Sequence, residues 1–184
     1  MRRSAPPSRF RVPALVVLAA ACAAGPGHAA EKPDEYAIKA AYLFNFARFV
    51  AWPAGTHCDA LRIVVVGDDP FGDELDRVLA DKRVSGLPLA ATRWPRMRDP
   101  EPCSVIFVAS SERADKILES VRARPVLTVG ESREFLDNGG AIALVLERGR
   151  VRFDVNARAV SEAGLWLDSR LLGLARTVEG GTGR

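Results

Sequence analysis

Imidazole is nearly missing from this sequence: the only histidines among its 184 residues are His28 and His57. Cysteine is hardly commoner, at Cys22, Cys58 and Cys103, and no Cys-x-x-Cys pair occurs. A zinc site would have to be assembled from these few groups and carboxylates without ligand-like spacing, so no metal centre is expected. A thioredoxin-like redox role has no motif to rest on. Ser110, Ser111, Ser161 and Ser169 all lack the Gly-x-Ser-x-Gly elbow, and His57 adjoins a cysteine. No catalytic residue and no cofactor is assigned. A glycosidase-type carboxylate pair stays open in any chain this rich in acids, but nothing singles one out.

Acid is also missing where the chain begins. The first 30 residues carry Arg2, Arg3, Arg9 and Arg11 and neither Asp nor Glu. The apolar run from Val12 to Ala24 is broken only by Pro13. It falls short of the ~20 residues needed to cross a bilayer as a helix. With Gly27-His28-Ala29 behind it, the segment reads as a secretory signal, residues 1–29, followed by a single domain, residues 30–184. A lipoprotein signal ending at Cys22 and a retained anchor are the alternatives. The formal charge of +3 comes from 26 basic and 23 acidic residues; without the four leading arginines it becomes 22 − 23 = −1. Nucleic acid is therefore not an expected partner. In an oxidising compartment the remaining cysteines, Cys58 and Cys103, are expected to form one disulfide, with two buried thiols as the alternative.

What is present alternates helix and strand signals. Residues 35–52 read as a helix capped by Asp34 and stopped before Pro53. Ile38, Ala41, Tyr42, Asn45, Phe46 and Phe49 form its core stripe, Asn45 being a core amide and Trp52 packing its end. LRIVVV (61–66), residues 104–109 and residues 125–129 are short, apolar on both faces and rich in β-branched side chains, as in buried parallel strands. Between them the sequence predicts a helix over 73–80, a weaker strand over 87–92, a helix capped by Ser110 or Ser111 running to about Arg122, and a short helix before Gly139-Gly140. Residues 141–146 and 150–155 flank a Glu-Arg-Gly turn and read as a hairpin, Val151, Phe153 and Val155 facing in and Arg150, Arg152 and Asp154 facing water. A helix capped by Asn156, an extended 165–167 and a last helix from Ser169 to about Val178 complete the reading. The expected fold is α/β: a mostly parallel sheet with helices on both faces and an antiparallel hairpin at one edge. If strands 61–66 and 104–109 are parallel neighbours, about 4.8 Å apart, the cysteines ahead of them fall within the Cα separation of about 4.4–6.8 Å that a disulfide needs.

Two places stand out as candidate surfaces. Asp68, Asp69 and Phe71 lie in the loop after the first buried strand, and Ser110 follows the second, at the strand ends where α/β proteins bind ligands. Gly67 and Gly72 have phosphate-loop spacing, but Asp73 and Glu74 would repel a phosphate. A phosphorelay receiver would need an aspartate where the later strand ends Val108-Ala109-Ser110. The plainer account is that the two aspartates shape a turn. Arg152, on the polar face of the hairpin, is either a solvated charge or, with Arg150 and Arg148, part of a docking surface for an acidic partner.

YAIKAAYLFNFARFVAWP (36–53), RIVVVGDDPFG, the Val-Ser-Gly-Leu-Pro-Leu step (84–89), CSVIFVASSE (103–112), PVLTVGE (125–131) and residues 138–176, in that order, resemble the YfiR/HmsC-like family. The resemblance implies a periplasmic α/β regulator without enzymatic activity, generally dimeric. Such a regulator binds the periplasmic part of an inner-membrane diguanylate cyclase and represses it, lowering cyclic-di-GMP and biofilm formation. A sensor histidine kinase is the alternative partner, and the resemblance also implies an outer-membrane lipoprotein that can sequester the regulator. Cys58 and Cys103 match one family disulfide; a second pair, found in some members near the hairpin, has no counterpart around Ala143. The rivals are a small-ligand sensor or carrier binding after Val66 and Ala109, and a hydrolase.

Overall fold

The three apolar runs become the middle of an eight-stranded sheet in the computed structural model, which describes residues 35–109 and 112–180. The signal segment, the cap at Ser110 or Ser111 and the last four residues lie outside the described residues. Along the chain come α1 (Glu35–Phe49), β1 (Val50–Ala51), β2 (Leu61–Val66), α2 (Asp73–Leu79), β3 (Arg83–Val84), β4 (Leu87–Trp94), β5 (Ser104–Val108) and α3 (Ala114–Ser120). They are followed by β6 (Val126–Gly130), α4 (Arg133–Asp137), β7 (Ile142–Glu147), β8 (Arg150–Asn156), α5 (Ala157–Glu162), β9 (Trp166–Leu167), α6 (Ser169–Leu172) and β10 (Thr177–Glu179). The large sheet has the order β10-β8-β7-β6-β5-β2-β4-β3, and β1 pairs with β9 separately. Pairing is parallel from β4 through β2, β5 and β6 to β7, and antiparallel at β3–β4 and β7–β8. The α/β class with a mostly parallel sheet is thus as expected.

Strand alternation decides which helix covers which face. Ile63, Val65, Val105 and Phe107 meet Leu43 and Phe46 of α1, Leu75 of α2 and Val160 of α5 in one cluster. Val64, Val66, Ile106 and Val108 meet Ile117 and Leu118 of α3 and Phe135 of α4 in the other. Both faces of β2, β5 and β6 are therefore dry, as unbroken apolar runs require. The same register sets the disulfide: Arg62 lies opposite Ser104 in the β2–β5 pair, and Cys58 and Cys103 are joined with Cα atoms 6.1 Å apart.

Four features differ from the sequence reading. The first helix ends at Phe49, because Val50 and Ala51 pair with Leu167 and Trp166 and Asp168 N donates to Phe49 O (2.9 Å). Its buried residues are Lys39, Ala40, Leu43, Phe46 and Ala47, whereas Ala41 is exposed and Asn45 half-buried. A helix apolar on nearly every side does not announce its inner face by spacing. The third helix starts at Ala114, after a turn in which Glu112 N donates to Ala109 O, with Arg113 at its N-cap and no side-chain cap. The last helix stops at Leu172, and residues 177–179 form β10, parallel to β8 and outside the hairpin. Asp154 is fully buried in consequence: Thr177 lies opposite it, and Arg176 donates from Nε to its Oδ1 (2.8 Å) and from Nη2 to its Oδ2.

Candidate docking surfaces

The loop after β2 is a lock rather than an open surface. Gly67 has φ +95°, a conformation side chains rarely adopt, and a Cβ there would collide with the Glu112 side chain. Asp69 Oδ1 accepts from Phe71 N (2.8 Å), the aspartate-made turn expected from the sequence. Arg93, from β4, donates from Nε to Asp69 Oδ2 (3.0 Å), from Nη1 to Asp76 Oδ1 (3.0 Å) and from Nη2 to Gly72 O (2.8 Å). The Arg93 hydrogen bond holds the Asp76 carboxyl below the ordinary carboxylate range, and the same contacts raise the guanidinium. Phe71 is not available to a partner: it is 3% exposed and meets Tyr36 and Phe107 edge-to-face, ring centroids 5.5 and 4.8 Å away. Asp68 is exposed, and Ser110 lies outside the described residues.

Beside this loop, past the ends of β5 and β6, is a cavity of about 610 Å³ walled by Ala109, Glu112, Arg113, Glu131, Glu134 and Phe135. Its charged wall is mostly committed. Arg113 pairs with Asp115 (3.1 Å) and holds that carboxyl down. Glu131 takes the ammonium of Lys39 at 2.5 Å. Lys39 was not singled out in the sequence, because a lysine inside an apolar helix reads as a solvated residue. Here it is 4% exposed, reaches Glu35 and Glu131 and lies 4.4 Å from the centre of the Tyr36 ring. Burial alone would lower its pKa, but the hydrogen bonds to Glu131 and Glu35 raise it overall. The cluster ties the start of α1 to the end of β6. Its only advance signal was a lysine three residues after Tyr36 on an apolar helix.

The second place is the hairpin. Arg150 and Arg152 are exposed on one face, and Arg148 sits in the turn with φ +50°. Val151, Phe153 and Val155 are buried on the other face. Phe153 packs against Tyr42 and Phe46 of α1 with ring centroids 5.4 and 5.2 Å away. β2 and β8 are four strand spacings apart, roughly 19 Å at ~4.8 Å each. The two candidate places therefore do not converge on one site. Among the described residues no group of three His, Cys, Asp or Glu is placed to hold a metal ion, and His57 is exposed beside the disulfide.

The fold defines the class: an α/β domain whose polar residues Asp69, Arg93 and Lys39 are engaged in internal hydrogen bonds and whose hairpin carries exposed arginines. The chain matches the YfiR/HmsC-like family over residues 36–176 and belongs to it. The family is one of periplasmic regulators of diguanylate cyclases, not of enzymes. No curated protein matches the chain.

Proposed function

We propose that this protein is exported by its first 29 residues and works in the periplasm as one domain, residues 30–184, that binds the periplasmic part of an inner-membrane diguanylate cyclase and represses it. Cyclic-di-GMP and biofilm formation fall as a result. The observation that carries this reading is family membership across 176 − 36 + 1 = 141 of 184 residues. Repression needs only that the protein bind the inactive conformation of its partner more tightly than the active one. Deleting the gene is expected to raise cellular cyclic-di-GMP, and an unchanged level would rule the reading out. A sensor histidine kinase in place of the cyclase would leave cyclic-di-GMP unchanged and alter a phosphorylation output instead. The same reading takes a homodimer as the working form, to be checked by light scattering, and an outer-membrane lipoprotein as the partner that releases repression.

The cavity past β5 and β6 favours a second reading, a small-ligand sensor, because about 610 Å³ lies within the size range of ligand pockets. A thermal-shift screen of metabolites in which none raises the melting temperature removes it.

A further inference from the structure

The β7–β8 hairpin leaves the sheet. Its last contact with β6 is Gly130 opposite Ala143, so Leu144 to Glu147 run on with β8 alone, roughly 13 Å at ~3.3 Å per residue. On the outer side β10 pairs only from Asp154 onward. The projecting tip is nevertheless held firmly. Phe153 is wedged against α1, and the Tyr42 hydroxyl donates to Val151 O (3.4 Å).

The tip also gathers on one hairpin three of the eight arginines, 17 − 9, that reach no carboxylate among the described residues. Among the described residues nine arginines reach a carboxylate within 4 Å. Arg148, Arg150 and Arg152 do not, although all three are exposed. The nearest hairpin carboxylate, Glu147, is taken by Arg176 at 3.2 Å. Arg150 and Arg152 point the same way from one strand, about 7 Å apart. Leu146, 58% exposed, stands on the opposite face across from Val151.

Resting on the proposed reading, we propose that this tip is the docking element of the regulator and that its counterpart is an acidic segment of the partner's periplasmic domain. Two guanidinium forks carried about 7 Å apart on one strand can each take a carboxylate bidentately. An anionic membrane attracts a local basic cluster whatever its spacing, whereas a matched pair of carboxylates depends on that spacing.

The test uses the gene deletion complemented by four exported versions at matched level: unaltered, Arg150→Glu/Arg152→Glu, Arg150→Gln/Arg152→Gln, and Arg96→Glu/Arg98→Glu. The last reverses two other arginines that lack a carboxylate partner and produces the same change in net charge. The unaltered and Arg96/Arg98 versions are expected to return cyclic-di-GMP to its low level, the Glu/Glu version to leave it at the deletion level, and the Gln/Gln version to repress only in part. Deletion without effect overturns the whole reading. Deletion with effect, but full repression by Arg150→Glu/Arg152→Glu, overturns the docking assignment alone. If the Glu/Glu protein does not accumulate, full repression by the folded Gln/Gln version does the same. Flotation of the unaltered protein with phosphatidylglycerol vesicles, abolished by Arg150→Glu/Arg152→Glu, would assign the tip to lipid and also overturn the proposal.

Discussion

The wing of the sheet made by β2, β4 and β5 and the wing made by β7, β8 and β10 are both apolar inside, yet they are fastened by different chemistry. The first is closed covalently by Cys58–Cys103 at the start of its strands and by Arg93 at their ends, where one guanidinium holds Asp69, Asp76 and Gly72. The second has no cysteine. Its outermost strand, three residues long, is anchored by the buried carboxylate of Asp154 and the half-exposed guanidinium of Arg176. The closed wing commits Arg93 to internal use, while the lightly fastened wing carries Arg148, Arg150 and Arg152 exposed on its hairpin. The proposed docking tip thus lies on the wing without the covalent closure.

The largest break in this contrast comes from opening the covalent end. The bridge spans 45 positions of sequence, a loop whose closure entropy is worth roughly 4 kcal/mol. Cys58→Ser/Cys103→Ser is expected to lower unfolding stability by about that amount in urea titration. The ionic end comes next: Asp154→Ala strips a buried acceptor from Arg176 and is expected to cost about 2 kcal/mol in the same titration. Hydrogen exchange of 177–179 should rise with it while β2 and β5 stay protected. Arg93→Ala is expected to cost about 1 kcal/mol, because its pairs are half-exposed. Its effect should be local, with faster exchange across residues 67–72.

The smallest effect is set by acid. Hydrogen bonds from Arg170, first from its side chain and then from its backbone, pull the Asp168 carboxyl down to about 2. A carboxylate held below its unfolded pKa contributes stability above that value and loses it as pH falls toward the folded one. Stability should therefore decline between about pH 4 and pH 2, and Asp168→Asn should flatten that segment of the curve. The closed wing shares in it through Asp76, which Arg93 holds down in the same way.

Much of this division was readable in advance, and the misses have physical reasons. β2, β5 and β6 announced themselves because strands buried on both faces carry no alternation. The disulfide followed from their pairing. Asn156 caps α5 as expected, its Oδ1 accepting from Ala159 N at 3.1 Å. By contrast Thr177-Val178-Glu179 has too few residues for any period, so β10 was read as helix and Asp154 as wet. Phe71 sits between Gly72 and the turn-forming Asp69-Pro70, a context that reads as surface. Only the packed rings of Tyr36 and Phe107 show that it belongs to the core. The hairpin arginines were visible as residues, but their lack of partners depends on where every acid ends up.

The pairing of β2 also governs how fast the chain finds its fold. Leu61 must meet Leu89 on one side and Arg62 must meet Ser104 on the other, so the central strand waits for segments made well after it. Such non-local contacts bear the entropy of loop closure before they return any stability, which slows folding. The disulfide joins the same two segments, Cys58 before β2 and Cys103 before β5. Once oxidised, the chain keeps these two segments together through every later unfolding. Refolding then starts with that loop already closed.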